Sequence, residues 1–208
     1  MLKKIGAIAG LVIMTILAIA LIRTALFSSK QVDVKAIPKI DINVKGAAER
    51  FAGALRFKTV SHIDPAQVDY REFTDFYAYL DKAFPLVKKH LTKELVNRYS
   101  ILYTWKGSDP KAKPILLMGH SDVVPVEPGT EKDWKYPPFA GKIAEGCVWG
   151  RGAQDIKLNV TGVLEAFEYL LKKGYKPKRT IYMAIGHTEE VRGQEGNGRI
   201  ADLLKSRG

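Results

Sequence analysis

The strongest constraint on how this chain folds is an uncharged apolar run near the amino terminus, from Ile5 to Ile22. Lys3 and Lys4 lead directly into the run, and Arg23 ends it. As a helix the run would extend about 27 Å, which is close to the thickness of the hydrocarbon core of a bilayer. The pattern predicts one transmembrane helix, with the body of the protein outside the cytoplasm because lysines favour the inner side.

Three interpretations of this run stay open at the level of sequence. An uncleaved signal anchor fits its length best. A cleaved signal peptide has a shorter apolar core and a small-residue cleavage site, for which Ala18-Ile19-Ala20 is a weak candidate. A buried core helix fits worst. We therefore expect residues 1–26 to be a signal anchor or signal peptide, residues 27–46 a linker and residues 47–208 a folded domain that is membrane-anchored or exported.

Composition excludes several classes of protein. With 46% hydrophobic and 26% charged residues, the chain has enough apolar material for a core and is unlike a disordered protein. One cysteine, Cys147, excludes an internal disulfide framework. Almost half of the net charge of +11 comes from the first 50 residues, which indicates a basic membrane-proximal segment. Since no basic-aromatic strip accompanies the charge, we expect no nucleic-acid partner.

Helical periodicity alternates with short apolar runs along the rest of the chain. This alternation predicts an α/β three-layer sandwich with a mostly parallel sheet, in which chemistry gathers at the carboxyl ends of strands. The predicted helices are 47–55, 70–84, 155–173 and 199–205, the predicted strands are 99–105, 114–118 and 179–185, and a small hairpin is predicted for 142–149.

Metal-binding residue types fall at the ends of these elements. His120 and Asp122 follow one strand, the Glu189-Glu190 pair follows another, and Asp155 lies at the predicted start of a helix. An imidazole with carboxylates suits zinc, manganese or cobalt, and a neighbouring carboxylate can orient the imidazole. Taken singly, each has an ordinary alternative: a surface histidine, a helix-capping aspartate or a solvated acidic loop.

Three ordered blocks resemble the two-zinc metallopeptidase family that includes carboxypeptidase S, glutamate carboxypeptidase and aminoacylase. The blocks are Gly119 to Val126, then Trp134 with Pro137-Pro138-Phe139 and Trp149 to Lys157, then Gly186 to Glu190. The resemblance runs from about Ala47 onward and is nearest to the carboxypeptidase S and secreted N-acyl-amino-acid hydrolase branch. It implies that residues 47–208 are part of a zinc-peptidase-like catalytic domain.

The resemblance also implies a role for each residue at the strand ends. His120 would ligate one zinc ion, with Asp122 orienting it. Asp155 would bridge two zinc ions, and Glu190 would bind the other. Glu189 would be the general base that activates water for hydrolysis of a peptide or N-acyl-amino-acid amide bond. Co²⁺ and Mn²⁺ suit the same donors.

Two positions depart from the family pattern. Ile156 and Thr188 stand where the family often has aspartate, and because neither position is a direct ligand we expect them to tune activity. His187 lies within the third block but is not a ligand in this branch, and we interpret it as a supporting loop residue.

The resemblance further implies that the chain is an amino-terminal fragment, because family members supply another acidic ligand and a distal histidine later in their sequence. The fragment alone is expected to bind metal weakly and to be inactive. The complete protein is expected to act on a peptide or N-acyl amino acid, to contact the membrane through its first helix, and to be compatible with a homodimer. The alternative is a non-catalytic remnant or binding module that retains the fold.

Overall fold

A computed structural model describes residues 2–208, which divide into two compact units at Asp41 and Ile42. The first unit contains helix α1, Leu2–Ala25, followed by residues 27–41 in neither helix nor strand. The portion of α1 from Lys3 to Ala25 is long and apolar enough to cross a membrane, a test that a signal sequence also passes. These observations are consistent with an anchor or a signal sequence.

The second unit is a mixed α/β domain. Its helices and strands have the following bounds: α2 Val44–Ala54, α3 Tyr70–Ala83, α4 Pro85–His90, α5 Leu158–Lys172, α6 Arg199–Arg207, β1 Thr92–Val96, β2 Ser100–Trp105, β3 Ile115–His120, β4 Lys142–Ala144, β5 Cys147–Trp149 and β6 Ile181–Gly186. Short helical turns cover Pro65–Gln67, Glu131–Asp133, Ala153–Lys157, Glu189–Val191 and Gln194–Gly198.

The main sheet has the strand order β1-β2-β6-β3. Only the β3–β6 pair is parallel, whereas β1–β2 and β2–β6 are antiparallel. The prediction of a mostly parallel sheet is therefore wrong, and the sheet is mixed. The reason is a tight hairpin between β1 and β2, in which Asn97 and Arg98 adopt left-handed backbone conformations with φ of 48° and 70°.

The predicted three layers are present because side chains alternate across the sheet. On one face Ile101, Tyr103 and Met183 pack against α3, α4 and α5. On the other face Leu102 and Ala184 pack against α6. Helices thus cover both faces at β2 and β6, whereas Leu116 and Met118 of the edge strand β3 are exposed. The carboxyl ends of β3 and β6 meet at one edge of the layered core.

Two predicted helices have shifted starts. Helix α2 begins at Val44 because the side chain of Asn43 caps it, accepting a hydrogen bond from the Gly46 N–H at 2.9 Å. Helix α5 begins at Leu158, since Asp155 and Ile156 have non-helical backbone angles. The prediction that the helix starts at Asp155 is wrong, and Asp155 lies instead in the loop that leads to α5. The predicted hairpin is confirmed as β4 and β5.

Candidate metal centre

The candidate site lies where two neighbouring parallel strands end. His120 is the last residue of β3, and Glu189 and Glu190 follow the end of β6 after a two-residue connection. Parallel strands present their carboxyl ends at the same edge of a sheet, so these side chains are brought together although about 70 positions separate them in the chain. The loop before α5 adds Asp155 to the same place.

Three of the predicted site residues form a compact cluster of potential metal ligands. One ligand atom from each of His120, Asp155 and Glu190 lies within 4.8 Å of the other two. The imidazole is buried, whereas 72% of the Asp155 side chain is exposed, and its Oδ1 is 3.1 Å from His120 Nε2. One nitrogen and two carboxylate donors fit Zn²⁺, Mn²⁺ or Co²⁺, so the residues present fit the implied metal.

Asp122 contacts the imidazole of His120 through both its main chain and its carboxylate. Nδ1 of His120 lies 3.0 Å from the main-chain oxygen of Asp122 and 3.3 Å from its carboxylate Oδ1. Both neighbouring atoms are acceptors, so Nδ1 carries a proton and Nε2 is the nitrogen directed at the cluster. The predicted orienting contact between Asp122 and His120 is therefore present in the structure.

The Asp122 carboxylate also holds the glutamate pair. It is fully buried and accepts hydrogen bonds from the backbone N–H of Glu189, at 3.1 Å, and of Glu190, at 3.0 Å. Because each oxygen receives one of these N–H groups, a single side chain connects the end of β3 to the loop after β6. The sequence pattern indicated the contact to His120 but not this second one.

Glu189 lies beside the ligand cluster. Its side chain is 52% exposed, and its Oε2 is 3.6 Å from His120 Nε2. A carboxylate in this position is close enough to reach a water molecule held at the cluster and remains accessible to solvent. This placement separates Glu189 from the adjacent Glu190, whose carboxylate joins the ligand atoms.

The protonation equilibria reflect negative charge concentrated around a buried imidazole. Burial by itself lowers the pKa of His120, but the hydrogen bonds and charge of Asp122, together with Glu189, raise it to about 9. Burial and repulsion from Asp155 raise the pKa of Glu190. A proton and a metal ion compete for Nε2 of this imidazole, so metal binding at the cluster would release a proton from His120.

A buried hydroxyl network supports the end of β3. Ser121 Oγ donates to the carbonyl of Gly186 at 2.9 Å and lies 2.9 Å from the hydroxyl of Tyr77, which in turn donates to the carbonyl of Tyr99. The Thr59 hydroxyl donates to the carbonyl of Ser121 at 2.6 Å. Sequence reasoning missed these residues, and the one available signal was a tyrosine hydroxyl on an otherwise apolar helix face.

His187 faces away from the ligand cluster. It is buried, its Nδ1 lies 2.7 Å from Ser100 Oγ, and its ring contacts those of Phe73 and Tyr99. Burial lowers the pKa of its imidazole, which favours the neutral form in this apolar setting. The arrangement agrees with its interpretation as a supporting residue.

Comparisons with known proteins show a peptidase family to which this chain is related. Residues 116–208 match the profile of peptidase family M20/M25/M40. Carboxypeptidase S of Saccharomyces cerevisiae is 43% identical over 166 residues, covering 76% of this chain and 29% of the relative. A probable carboxypeptidase S-like protein of Dictyostelium discoideum is 41% identical, covering 87% and 36%. An N-fatty-acyl-amino acid synthase/hydrolase of Mus musculus is also 41% identical, covering 77% and 31%.

Solved structures show the same fold at lower sequence identity. Human carnosine dipeptidase 1 superposes with a TM-score of 0.60 and 19% identity, covering 78% of this chain and 35% of that one. A dipeptidase of Saccharomyces cerevisiae gives a TM-score of 0.57 at 18% identity, covering 79% and 38%. The chain spans 29–36% of the length of the three curated relatives described above.

Proposed function

The chain carries a domain of peptidase family M20/M25/M40 in residues 116–208, and on that premise we propose that the protein containing it hydrolyses peptide or N-acyl-amino-acid amide bonds at the His120–Asp155–Glu190 cluster. The observation that carries the proposal is the convergence of these three ligand atoms within 4.8 Å. The names of the similar proteins, carboxypeptidase S and an N-fatty-acyl-amino acid synthase/hydrolase, support both kinds of amide as substrates.

The geometry supports the following division of roles. His120, Asp155 and Glu190 would hold the metal, which we propose to be zinc, and Asp122 would keep His120 Nε2 directed at the ligand cluster. A bound divalent ion would supply Lewis acidity toward the scissile carbonyl and would lower the pKa of water. Glu189, beside the ligand atoms, accepts the proton of the attacking water and returns it to the leaving amine.

We propose that the complete protein holds two ions and that Asp155, whose carboxylate is exposed, would be a ligand to both. Three protein ligands suffice for one catalytic ion, whereas a second ion needs donors beyond this cluster. We propose that those donors come from a part of the protein outside residues 1–208, and that this chain alone is inactive. A homodimer of the complete protein would be compatible with this arrangement.

Metal removal tests the proposed function. Dialysis of the complete protein against a chelator is expected to abolish hydrolysis of both an N-acyl amino acid and a short peptide, and added Zn²⁺, Co²⁺ or Mn²⁺ is expected to restore it. Metal content measured by mass spectrometry should fall and rise with activity. A protein that retains full activity without bound metal would contradict the proposal. One that binds metal but hydrolyses neither substrate would favour the non-catalytic alternative.

We further propose that α1 attaches the protein to a membrane, with the catalytic domain outside the cytoplasm. The support is the length and apolar composition of the helix from Lys3 to Ala25. The protein is expected to stay with membranes through alkaline carbonate extraction, and deletion of residues 2–25 is expected to release it. A wild-type protein that is released by carbonate, or whose mature amino terminus lies at or beyond Leu21, would contradict the anchor.

A further inference from the structure

Lys157 is a fully buried lysine that the proposed reaction does not use. It lies in the loop before α5, two residues after Asp155, and its relative exposure is 0%. A buried amine costs free energy unless its hydrogen-bonding groups find partners, so its contacts indicate what the burial achieves.

The side chain of Lys157 reaches the carboxyl end of α2, at Ala54, and the turn that follows it, at Phe57. Its Nζ donates to the carbonyl oxygens of Phe57, at 2.8 Å, and Ala54, at 3.3 Å, and lies 4.7 Å from the ring centre of Phe76. The last carbonyls of a helix lack partners within the helix and form the negative end of its dipole. Lys157 thus joins the loop to a helix end about 100 positions earlier in the chain.

Helix α2 is held in the packed core by contacts to α3 and α5. Arg50 forms a two-pronged ion pair with Glu165 of α5, at 2.5 Å and 2.7 Å, and its carbonyl accepts a hydrogen bond from the Tyr79 hydroxyl at 2.7 Å. Ala52 and Ala54 are buried. A loop attached to this helix therefore takes its position from the packed core.

The Asp155 carboxylate depends on the loop for its position. Among the described residues its side chain makes one hydrogen bond, to His120, and 72% of it is exposed. Asp155 and Ile156 have non-helical backbone angles, so the regular bonds of α5 do not extend to them. The residue after Ile156, Lys157, connects the loop to the core through its side chain. Its N–H also closes the loop on itself by donating to the carbonyl of Gly152 at 2.9 Å.

We propose that Lys157 is a positioning residue that places Asp155 among the metal ligands by tying its loop to the end of α2. The inference rests on the proposed metal site. Burial lowers the pKa of Lys157 to about 7, but both the charged and the neutral amine carry N–H donors for two carbonyls. The tie therefore does not require one protonation state.

Lys157→Met in the complete protein tests the proposal, because methionine has a similar length and suits an apolar site but donates no hydrogen bond. We expect its affinity for Co²⁺, measured by competition with a chromophoric chelator, to fall by about 10–100-fold, as for other partners that orient metal ligands. The visible absorption of bound Co²⁺ should shift because the Asp155 oxygen moves. In kinetics kcat should fall more than KM rises.

Leu164→Ala is the matched control, since Leu164 is fully buried in α5 and lies away from the ligands. This variant should lower the melting temperature while leaving Co²⁺ affinity and absorption unchanged. If Lys157→Met lowers the melting temperature but binds Co²⁺ with wild-type affinity and spectrum, the positioning role is overturned. Should Lys157→Met fail to fold, Lys157→Gln is used instead: its amide nitrogen lies one bond nearer the backbone than Nζ and falls short of the Phe57 and Ala54 carbonyls. Its Co²⁺ affinity is therefore also expected to fall, and wild-type affinity in that variant would overturn the proposal as well.

The same titration separates this proposal from the proposed function. A wild-type protein that binds no metal would contradict both the proposed function and the positioning role of Lys157. A wild-type protein that binds Co²⁺ but hydrolyses no amide would end only the proposed function, and weaker binding by Lys157→Met would still support the positioning role.

Discussion

Replacing Glu189 with glutamine is expected to lower kcat by about 10²–10⁴-fold, the usual contribution of a positioned general base. Glutamine keeps the size of the side chain and the backbone N–H that Asp122 accepts, but its amide cannot take a proton from water. The Glu189 carboxylate lies beside the ligand cluster, 3.6 Å from His120 Nε2, so metal content is expected to remain close to wild type.

The measurement combines steady-state hydrolysis by the complete protein with metal analysis of the same preparation. Glu131→Gln serves as a control, because Glu131 is an exposed glutamate in the short helical turn Glu131–Asp133. It should leave both quantities unchanged. Loss of metal in parallel with activity in Glu189→Gln would show that Glu189 is a ligand, and undiminished turnover would remove it from the mechanism.

Removing the Asp155 carboxylate is expected to have an effect of similar or greater size, for a different reason. In Asp155→Ala the cluster keeps only His120 and Glu190. Loss of a residue that merely orients a ligand lowers metal affinity by about 10–100-fold, and loss of the ligand Asp155 should lower it further. Activity at limiting metal should disappear. The melting temperature of the metal-free protein should change little, because most of this side chain is exposed.

Isothermal titration of the metal-free protein with Zn²⁺ measures the change directly. Asp133→Ala removes an exposed aspartate elsewhere on the domain and should leave the affinity unchanged. Wild-type affinity in Asp155→Ala would exclude Asp155 from the site. If Asp155→Ala regains full activity once enough metal is added to saturate it, the bridging role would be contradicted.

The sequence predicted well the parts of the fold that carry local periodicity. The apolar runs that became β3 and β6 and the amphipathic pattern of α3 each lie within a few residues of their observed bounds. The two strand ends identified the neighbourhood of His120 and of the glutamate pair, because parallel strands present their carboxyl ends at the same edge of a sheet. The geometry brings Asp155 to the same place.

Other features depend on contacts between distant segments and left no local signal. Strand β1 mixes charged and apolar residues as an edge strand does, so neither it nor the antiparallel direction of β2 was predicted. The residues that hold the site, such as Thr59 and Lys157, bind main-chain carbonyls elsewhere in the fold. A carbonyl is present at every position, and residue types therefore do not reveal such pairs.

Asp122 has a consequence for how this centre can change. One oxygen of this buried carboxylate, Oδ1, contacts the imidazole of His120. Its two oxygens together accept hydrogen bonds from the backbone N–H groups of Glu189 and Glu190. The end of β3 and the loop after β6 therefore share Asp122 as a common hydrogen-bonding partner. Substitutions at His120 and in the glutamate loop should consequently have non-additive effects on metal affinity and activity. Under the proposed roles, the metal ligand His120 and the proton acceptor Glu189 both contact this one side chain, so a shift in the position of either should displace the other.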